Sequence, residues 1–174
     1  ETIFAQTRRP GHLIIIGGGP VGLELAQAHR RLGSQVTVVE ALSALGKDDP
    51  EATAIVLDHV RAEGVDIREK TKVARVERRG KTGVRVHVEG EAGPATIDGT
   101  HLLVATGRSP NVEGLGLEAA GIAHDRKGIK VTDKLRTTNR RVYAIGDIAG
   151  GLQFTHVAGY HADAQGQPIA RSEG

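Results

Sequence analysis

Six consecutive residues, Gly17-Gly18-Gly19-Pro20-Val21-Gly22, limit what this chain can fold into more than any others. They follow His12 to Ile16, a short β-branched apolar run of the kind that forms a strand buried on both faces. After them, Val21, Gly22, Leu25, Ala26, His29 and Leu32 recur at three- and four-residue steps, which predicts a helix from Pro20 to Leu32 stopped by Gly33. A G-x-G-x-x-G pattern between a strand and a helix has a mechanical reading. Gly17 permits the tight turn, Gly19 lets a pyrophosphate approach the backbone, and Gly22 with Ala26 lets the helix pack closely on the strand. The helix N-terminus then offers free N–H groups and the positive end of its dipole to the phosphates. The expected ligand is a dinucleotide.

A second buried strand, Gln35 to Glu40, ends in a carboxylate 23 residues after Gly17. An acid at that place accepts hydrogen bonds from the hydroxyls of an adenine ribose. Read singly, the glycines are turn residues and Glu40 a solvated strand end; the strand, the helix and the acid in this order favour a binding site. The same carboxylate would oppose the extra phosphate of NADP, and Ala41 to Gly46 contain no Arg or Lys to neutralise it, so NAD(H) is the expected coenzyme.

Asp49-Pro50-Glu51 starts another helix, with Asp as N-cap and Pro at the first position, running to about Glu63 and stopping at Gly64. Val65 to Arg68 adds a third strand and completes a βαβαβ unit. The period then changes to two: Val73, Val76, Val84, Val86 and Val88 alternate with polar residues around Gly80 to Gly83, which predicts a hairpin, with a further strand near Ala95 to Ile97. His101 to Ala105 reads as another buried strand, closed by Thr106-Gly107. The fold class expected for residues 1–107 is α/β, a Rossmann-like three-layer nucleotide-binding domain made of a parallel sheet plus an antiparallel β-meander. Residues 108–174 read differently: glycine-rich loops, a short helical stretch near Leu117 to Ala120, strands at Ile129 to Thr132 and Val142 to Ile145, and a helix from Thr155 weakened by Gly159, Gly166 and Pro168. These strands are too few for an independent sheet, so the segment is expected to be part of a domain.

Composition removes several functional classes. With no Cys the chain has no disulfide, thiolate nucleophile, iron-sulfur cluster or cysteine zinc site, so redox chemistry must come from an organic cofactor. Lys and Arg total 23 against 21 Asp and Glu, the basic pairs are scattered, and aromatics are 2% of the chain, so no nucleic-acid partner is expected. The apolar run from Leu13 to Leu23 is too short to span a membrane, and no signal-peptide pattern occurs. The chain starts at Glu1 and contains no Met, which is the expectation for an internal fragment of a longer protein.

Four stretches together, Gly17 to Glu24, the strand end at Glu40, Ala105-Thr106-Gly107-Arg108-Ser109-Pro110-Asn111, and Thr137 through Tyr143-Ala144-Ile145-Gly146-Asp147, resemble the pyridine nucleotide-disulfide oxidoreductases. The lipoamide dehydrogenase and mercuric reductase branch is the most similar. The resemblance implies an NAD-binding domain over residues 1–107, followed over residues 108–174 by an incomplete second segment of an FAD-binding domain. It implies that Gly17, Gly18, Gly19, Pro20, Val21, Gly22, Glu40 and Gly107 contact NAD, with Glu24 supporting the nicotinamide and flavin. Asp147 would hold FAD ribitol hydroxyls, while Gln153, Phe154, Thr155 and His156 meet the flavin ring at a helix start. His156 reads equally well as an ordinary first-turn histidine. The implied activity is hydride transfer from NADH to FAD in a cytoplasmic, homodimeric parent enzyme. The redox-active Cys pair, the first FAD glycine motif and the dimerisation domain of that branch have no counterpart here, so the isolated chain is expected to be inactive and its exposed half-domain to self-associate. A short-chain dehydrogenase is disfavoured because neither Tyr143 nor Tyr160 has a Lys four residues on. A non-catalytic NAD-sensing regulatory module is the alternative, although such a module would not require Gly146-Asp147.

Overall fold

The computed structural model of the chain describes residues 2–151 and 153–164 and divides into two compact units, Glu1–Gly107 and Arg108–Gly174. In the first, a 3-10 turn at Thr2–Ala5 precedes β1 (His12–Ile16), α1 (Pro20–Arg31), β2 (Gln35–Val39), α2 (Pro50–Ala62) and β3 (Asp66–Arg68). β4 (Lys72–Arg79), β5 (Gly83–Gly90), β6 (Gly93–Gly99) and β7 (His101–Val104) follow. A parallel sheet has the order β3-β2-β1-β7, and β4-β5-β6 form an antiparallel sheet. Parallel neighbours cannot be joined by a tight turn, so the helices cross between them.

Side chains alternate across β1, and both sets are buried. Leu13 and Ile15 pack with Leu23 and Ala26 of α1 and with Leu57 and Val60 of α2. Ile14, together with Val39 of β2, faces the other way onto Val86, Val88 and Ile97 of the antiparallel sheet. Leu13, Ile14 and Ile15 are accordingly all 0% exposed. Helices, parallel sheet and meander make three layers, and β1, in the middle, carries the glycine turn at its C-terminal end. That placement sets the site at the end of a strand buried on both faces.

α2 begins as its sequence requires. Asp49 Oδ1 accepts from the backbone N–H of Glu51 and of Ala52, each at 3.0 Å, with Pro50 in the first turn. Asp49→Ala is expected to cost about 1 kcal/mol, the usual cost of a lost cap, read as a lower midpoint in chemical denaturation. An unchanged midpoint would mean that water replaces the cap without loss.

The second unit contains β8 (His124–Asp125), β9 (Gly128–Ile129), a 3-10 turn at Gly146–Ala149 and α3 (Thr155–Ala164). Its core is Leu117, Ile122, Ile129 and Ala144, flanked by Val112, Val131, Val142 and Ile148. Three expectations change here. The stretch from Leu117 to Ala120 is a series of hydrogen-bonded turns rather than a helix, with Ala120 N–H on Gly116 O at 3.1 Å and Ile122 N–H on Leu117 O at 2.8 Å. Gly116 and Gly121, at φ of 65° and 67°, close it at both ends, leaving no length for a helical nucleus to propagate. The strand expected at Ile129 to Thr132 shortens to β9, and of Val142 to Ile145 only Tyr143 pairs, in an isolated bridge with Arg136. Apolar alternation marks a segment as strand-forming, but a ladder needs a neighbouring edge, and among the described residues of this unit these segments find almost none. Gly166 and Pro168 lie outside the described residues. Among the described residues, no helix is long and apolar enough to cross a membrane.

Candidate functional site

The glycine turn is built by close backbone approach. Gly17, at φ +112°, donates its N–H to Val39 O at 2.9 Å, and a Cβ there would lie 2.5 Å from Ala105 O. A Cβ on Gly22 would lie 2.1 Å from Gly17 O, so the first turn of α1 rests directly on the turn it leaves. Gly19 differs: among the described residues, a Cβ at this position would meet no atom within 4 Å. Gly19 is also the N-cap of α1, makes no side-chain cap, and is followed by Pro20. The helix therefore presents uncapped N–H groups toward open space, the arrangement that binds anions. Val21 stands half exposed beside it at 50%. Glu24 is exposed on α1, and a Cβ on Gly107, at φ +131°, would likewise meet nothing within 4 Å among the described residues.

Glu40 follows β2 directly, and its carboxylate grips the glycine loop. Oε2 accepts from Gly18 N–H at 2.7 Å and Oε1 from Leu42 N–H at 2.9 Å. Gly18 is glycine for a packing reason that the motif does not announce: a Cβ there would sit 3.0 Å from Glu40 Cβ and 3.1 Å from Ala44 Cβ. The loop over residues 41–46 is braced in turn. Leu45 N–H reaches Gly18 O at 3.0 Å, and Ala44 N–H reaches Glu69 Oε1 at 2.9 Å, while Glu69 Oε2 pairs with Arg61 at 2.6 Å. Sequence reasoning missed Glu69 and Arg61, which lie on different elements with no motif linking them to the glycines. The topology also brings Arg68 and Lys70 beside Glu40, because Glu40 N–H donates to Arg68 O at 2.8 Å and Lys70 N–H to Leu42 O at 2.8 Å. Both side chains pair with carboxylates at the surface, Arg68 with Asp66 at 2.9 Å and Lys70 with Glu91 at 3.0 Å.

In the second unit, Gly146 adopts φ +69° and packs under α3, where a Cβ would lie 3.0 Å from Ala158 Cβ. Its N–H donates to His161 Nδ1 at 3.3 Å. Asp147 is thereby held beside the start of α3 with its carboxylate partly exposed. Arg108 ties the two segments together: its Nη1 lies 3.6 Å from Asp147 Oδ2 and donates to Gln153 O at 3.2 Å. Phe154 O accepts from Val157 N–H at 3.0 Å, Thr155 opens α3, and the rings of Phe154 and His156 stack with centroids 5.3 Å apart. Asp147, Gln153, Phe154, Thr155 and His156 are thus gathered on adjoining segments, with Phe154, Thr155 and His156 exposed. The bridging role of Arg108 was not legible from its place in Thr106-Gly107-Arg108.

Comparison with known proteins gives a consistent result. The family described as pyridine nucleotide-disulphide oxidoreductase matches residues 1–162. A mercuric reductase of Streptomyces lividans is 39% identical over 161 residues, which is 92% of this chain and 34% of that protein. A dihydrolipoyl dehydrogenase of Thermus scotoductus is 40% identical over 153 residues, covering 86% of this chain and 33% of that one. Among solved structures, the HOCl-induced flavoprotein disulfide reductase RclA of Escherichia coli superposes with a TM-score of 0.83 at 36% identity, covering 92% of this chain and 36% of that chain. This chain spans about a third of the length of these relatives.

Proposed function

The chain belongs to the pyridine nucleotide-disulphide oxidoreductase family, and on that footing we propose that it is the NAD(H)-binding part, with the second flavin-domain segment, of an FAD-dependent oxidoreductase. The observation that carries this reading is the uncapped start of α1 at Gly19, open to ligand and flanked by the carboxylate of Glu40. In such an enzyme the nicotinamide supplies a hydride and the flavin accepts it.

The residues of this chain bind and orient. Gly17, Gly18, Gly19, Pro20, Val21 and Gly22 receive the pyrophosphate against backbone N–H groups, and the helix dipole adds favourable charge. Glu40 uses two acceptor positions on Gly18 and Leu42, and a carboxylate has about four, so two remain for the ribose hydroxyls. Gly107 and Glu24 flank the nicotinamide. In the second unit Asp147 accepts from the ribitol hydroxyls. The start of α3 at Thr155, with Gln153, Phe154 and His156, faces the edge of the flavin ring, where its dipole favours negative charge. Self-association would rest on apolar faces around Val142 to Ile145 and Val157; Leu115, Tyr143, Phe154 and Tyr160 are exposed in the same unit.

Calorimetry with both coenzymes tests the reading. NADH is expected to bind about tenfold or more tightly than NADPH, because an added phosphate would face Glu40 at short range while Arg68 and Lys70 are engaged with other carboxylates. Equal or tighter NADPH binding would overturn the assignment. The isolated chain is further expected to be colourless after dialysis and to oxidise NADH no faster than free FAD does. Asp147 and the start of α3 offer only a few hydrogen bonds of about 0.5 to 1.5 kcal/mol each, against an association cost of about 4 kcal/mol or more. Stoichiometric flavin in the absorbance spectrum would show that this chain holds the cofactor unaided.

A further inference from the structure

Residues 126–141 carry seven Lys and Arg against the single carboxylate of Asp133, in a chain whose net charge is only +2. Lys130 is neutralised by Asp125, which also accepts from Lys127 N–H at 2.7 Å. Three of the others, Lys134, Arg136 and Arg140, line one open cavity of about 650 Å3 with Thr132, Asp133, Thr137 and Thr138. Among the described residues, none of these three side chains makes an ion pair or hydrogen bond. Three like charges around one open cavity make its potential favourable to anions, most strongly at low salt.

The loop that carries them is held by its own backbone. Leu135 N–H bonds Thr132 O at 2.8 Å, Thr132 N–H bonds Arg136 O at 2.9 Å, Thr137 N–H bonds Val142 O at 3.0 Å, and Ala144 N–H bonds Leu135 O at 3.0 Å. Leu135 sits at φ 57°, a left-handed conformation that a branched side chain keeps only when its surroundings dictate it. Thr137 and Thr138 spend their hydroxyl protons on Asn139 O at 2.9 Å and Gly121 O at 2.7 Å, so they shape the wall. Thr132 Oγ1 accepts from Arg136 N–H at 3.3 Å, and among the described residues its hydroxyl donates to none.

We propose that this cavity binds a multiply charged phosphate-type oxyanion, a diphosphate being the best match. Three cations offset by Asp133 suit a ligand of two or more negative charges, and guanidinium forks fit pairs of phosphate oxygens. Among the described residues no aromatic side chain lines the cavity, so they offer no platform for a nucleobase, and its volume exceeds one tetrahedral anion. Neither Glu40, Asp147 nor any residue from Gln153 to His156 takes part in it.

Pyrophosphate titrated calorimetrically into the whole chain at low salt tests the site. A dissociation constant of about 1 mM or tighter is expected, with Lys134→Gln and Arg140→Gln each weakening it about tenfold. Circular dichroism would establish that the exposed substitutions leave the fold intact, and NADH affinity should not change, which separates this site from the proposed coenzyme site. Ribose 5-phosphate distinguishes the source: weaker binding than pyrophosphate points to a free diphosphate and equal binding to an ester-borne phosphate, provided both depend on Lys134 and Arg140. No pyrophosphate binding, or binding indifferent to both substitutions, would overturn the proposal. So would an acidic peptide or an RNA oligonucleotide whose affinity rises with length and displaces pyrophosphate, since that describes a macromolecular surface.

Discussion

Gly22→Val is expected to be the most damaging single substitution in the first unit. Its Cβ would lie 2.1 Å from the backbone oxygen of Gly17, and a backbone atom fixed by β1 and β2 cannot yield as a flexible side chain would. Relief requires α1 to lift from the sheet, opening the contacts of Leu23 and Ala26 with Leu13 and Ile15. The cost is at least about 3 kcal/mol, the upper end of ordinary overpacking, against a total stability of about 0.05 to 0.15 kcal/mol per residue. Chemical denaturation should show a large drop in midpoint, or no folded baseline, with NADH binding lost alongside. Gly19→Ala supplies the contrast. Its Cβ meets nothing within 4 Å among the described residues and its φ of −77° is ordinary, so stability should hold while the coenzyme is kept off the backbone. If both variants denatured like the parent, the close approach at Gly22 would not be what seats the helix.

Glu40→Ala is expected to act twice. Without the carboxylate, the N–H groups of buried Gly18 and of Leu42 lose their acceptors, at about 1 to 3 kcal/mol for a buried donor left unsatisfied. NADH should also bind more weakly, by about 1.5 to 3 kcal/mol, as the bonds from the ribose to a charged acceptor go. Glu40→Gln keeps one oxygen able to accept from the loop and should recover part of the stability but less of the affinity. A Glu40→Ala protein of unchanged stability would refute the bracing role, and one of unchanged NADH affinity would remove Glu40 from the ribose.

The sequence by itself was sufficient wherever the rule is local. Short apolar runs mark β1 and β2, a period of 3.6 marks α1 and a period of two marks the β4-β5 hairpin, because side-chain direction follows from the backbone alone. Asp49-Pro50-Glu51 starts α2 because the cap is made to its immediate neighbours. The glycine turn and the acid after β2 were visible for the same reason, since their spacing is set within one strand-helix-strand unit. Tertiary structure decided what depends on atoms distant in the chain. It gave the Glu40 carboxylate to Gly18, made Gly18 a packing glycine against Ala44, set Glu69 and Arg61 behind the loop, and made Arg108 a link between Asp147 and Gln153. It also reduced the strand-like runs of the second unit to β9 and one bridge, because a ladder exists only where another edge is present to accept it. Of the seven Lys and Arg over residues 126–141, it set Lys134, Arg136 and Arg140 on one cavity. Pattern fixes which way a side chain points from its own element, but only the packing of elements fixes what it meets.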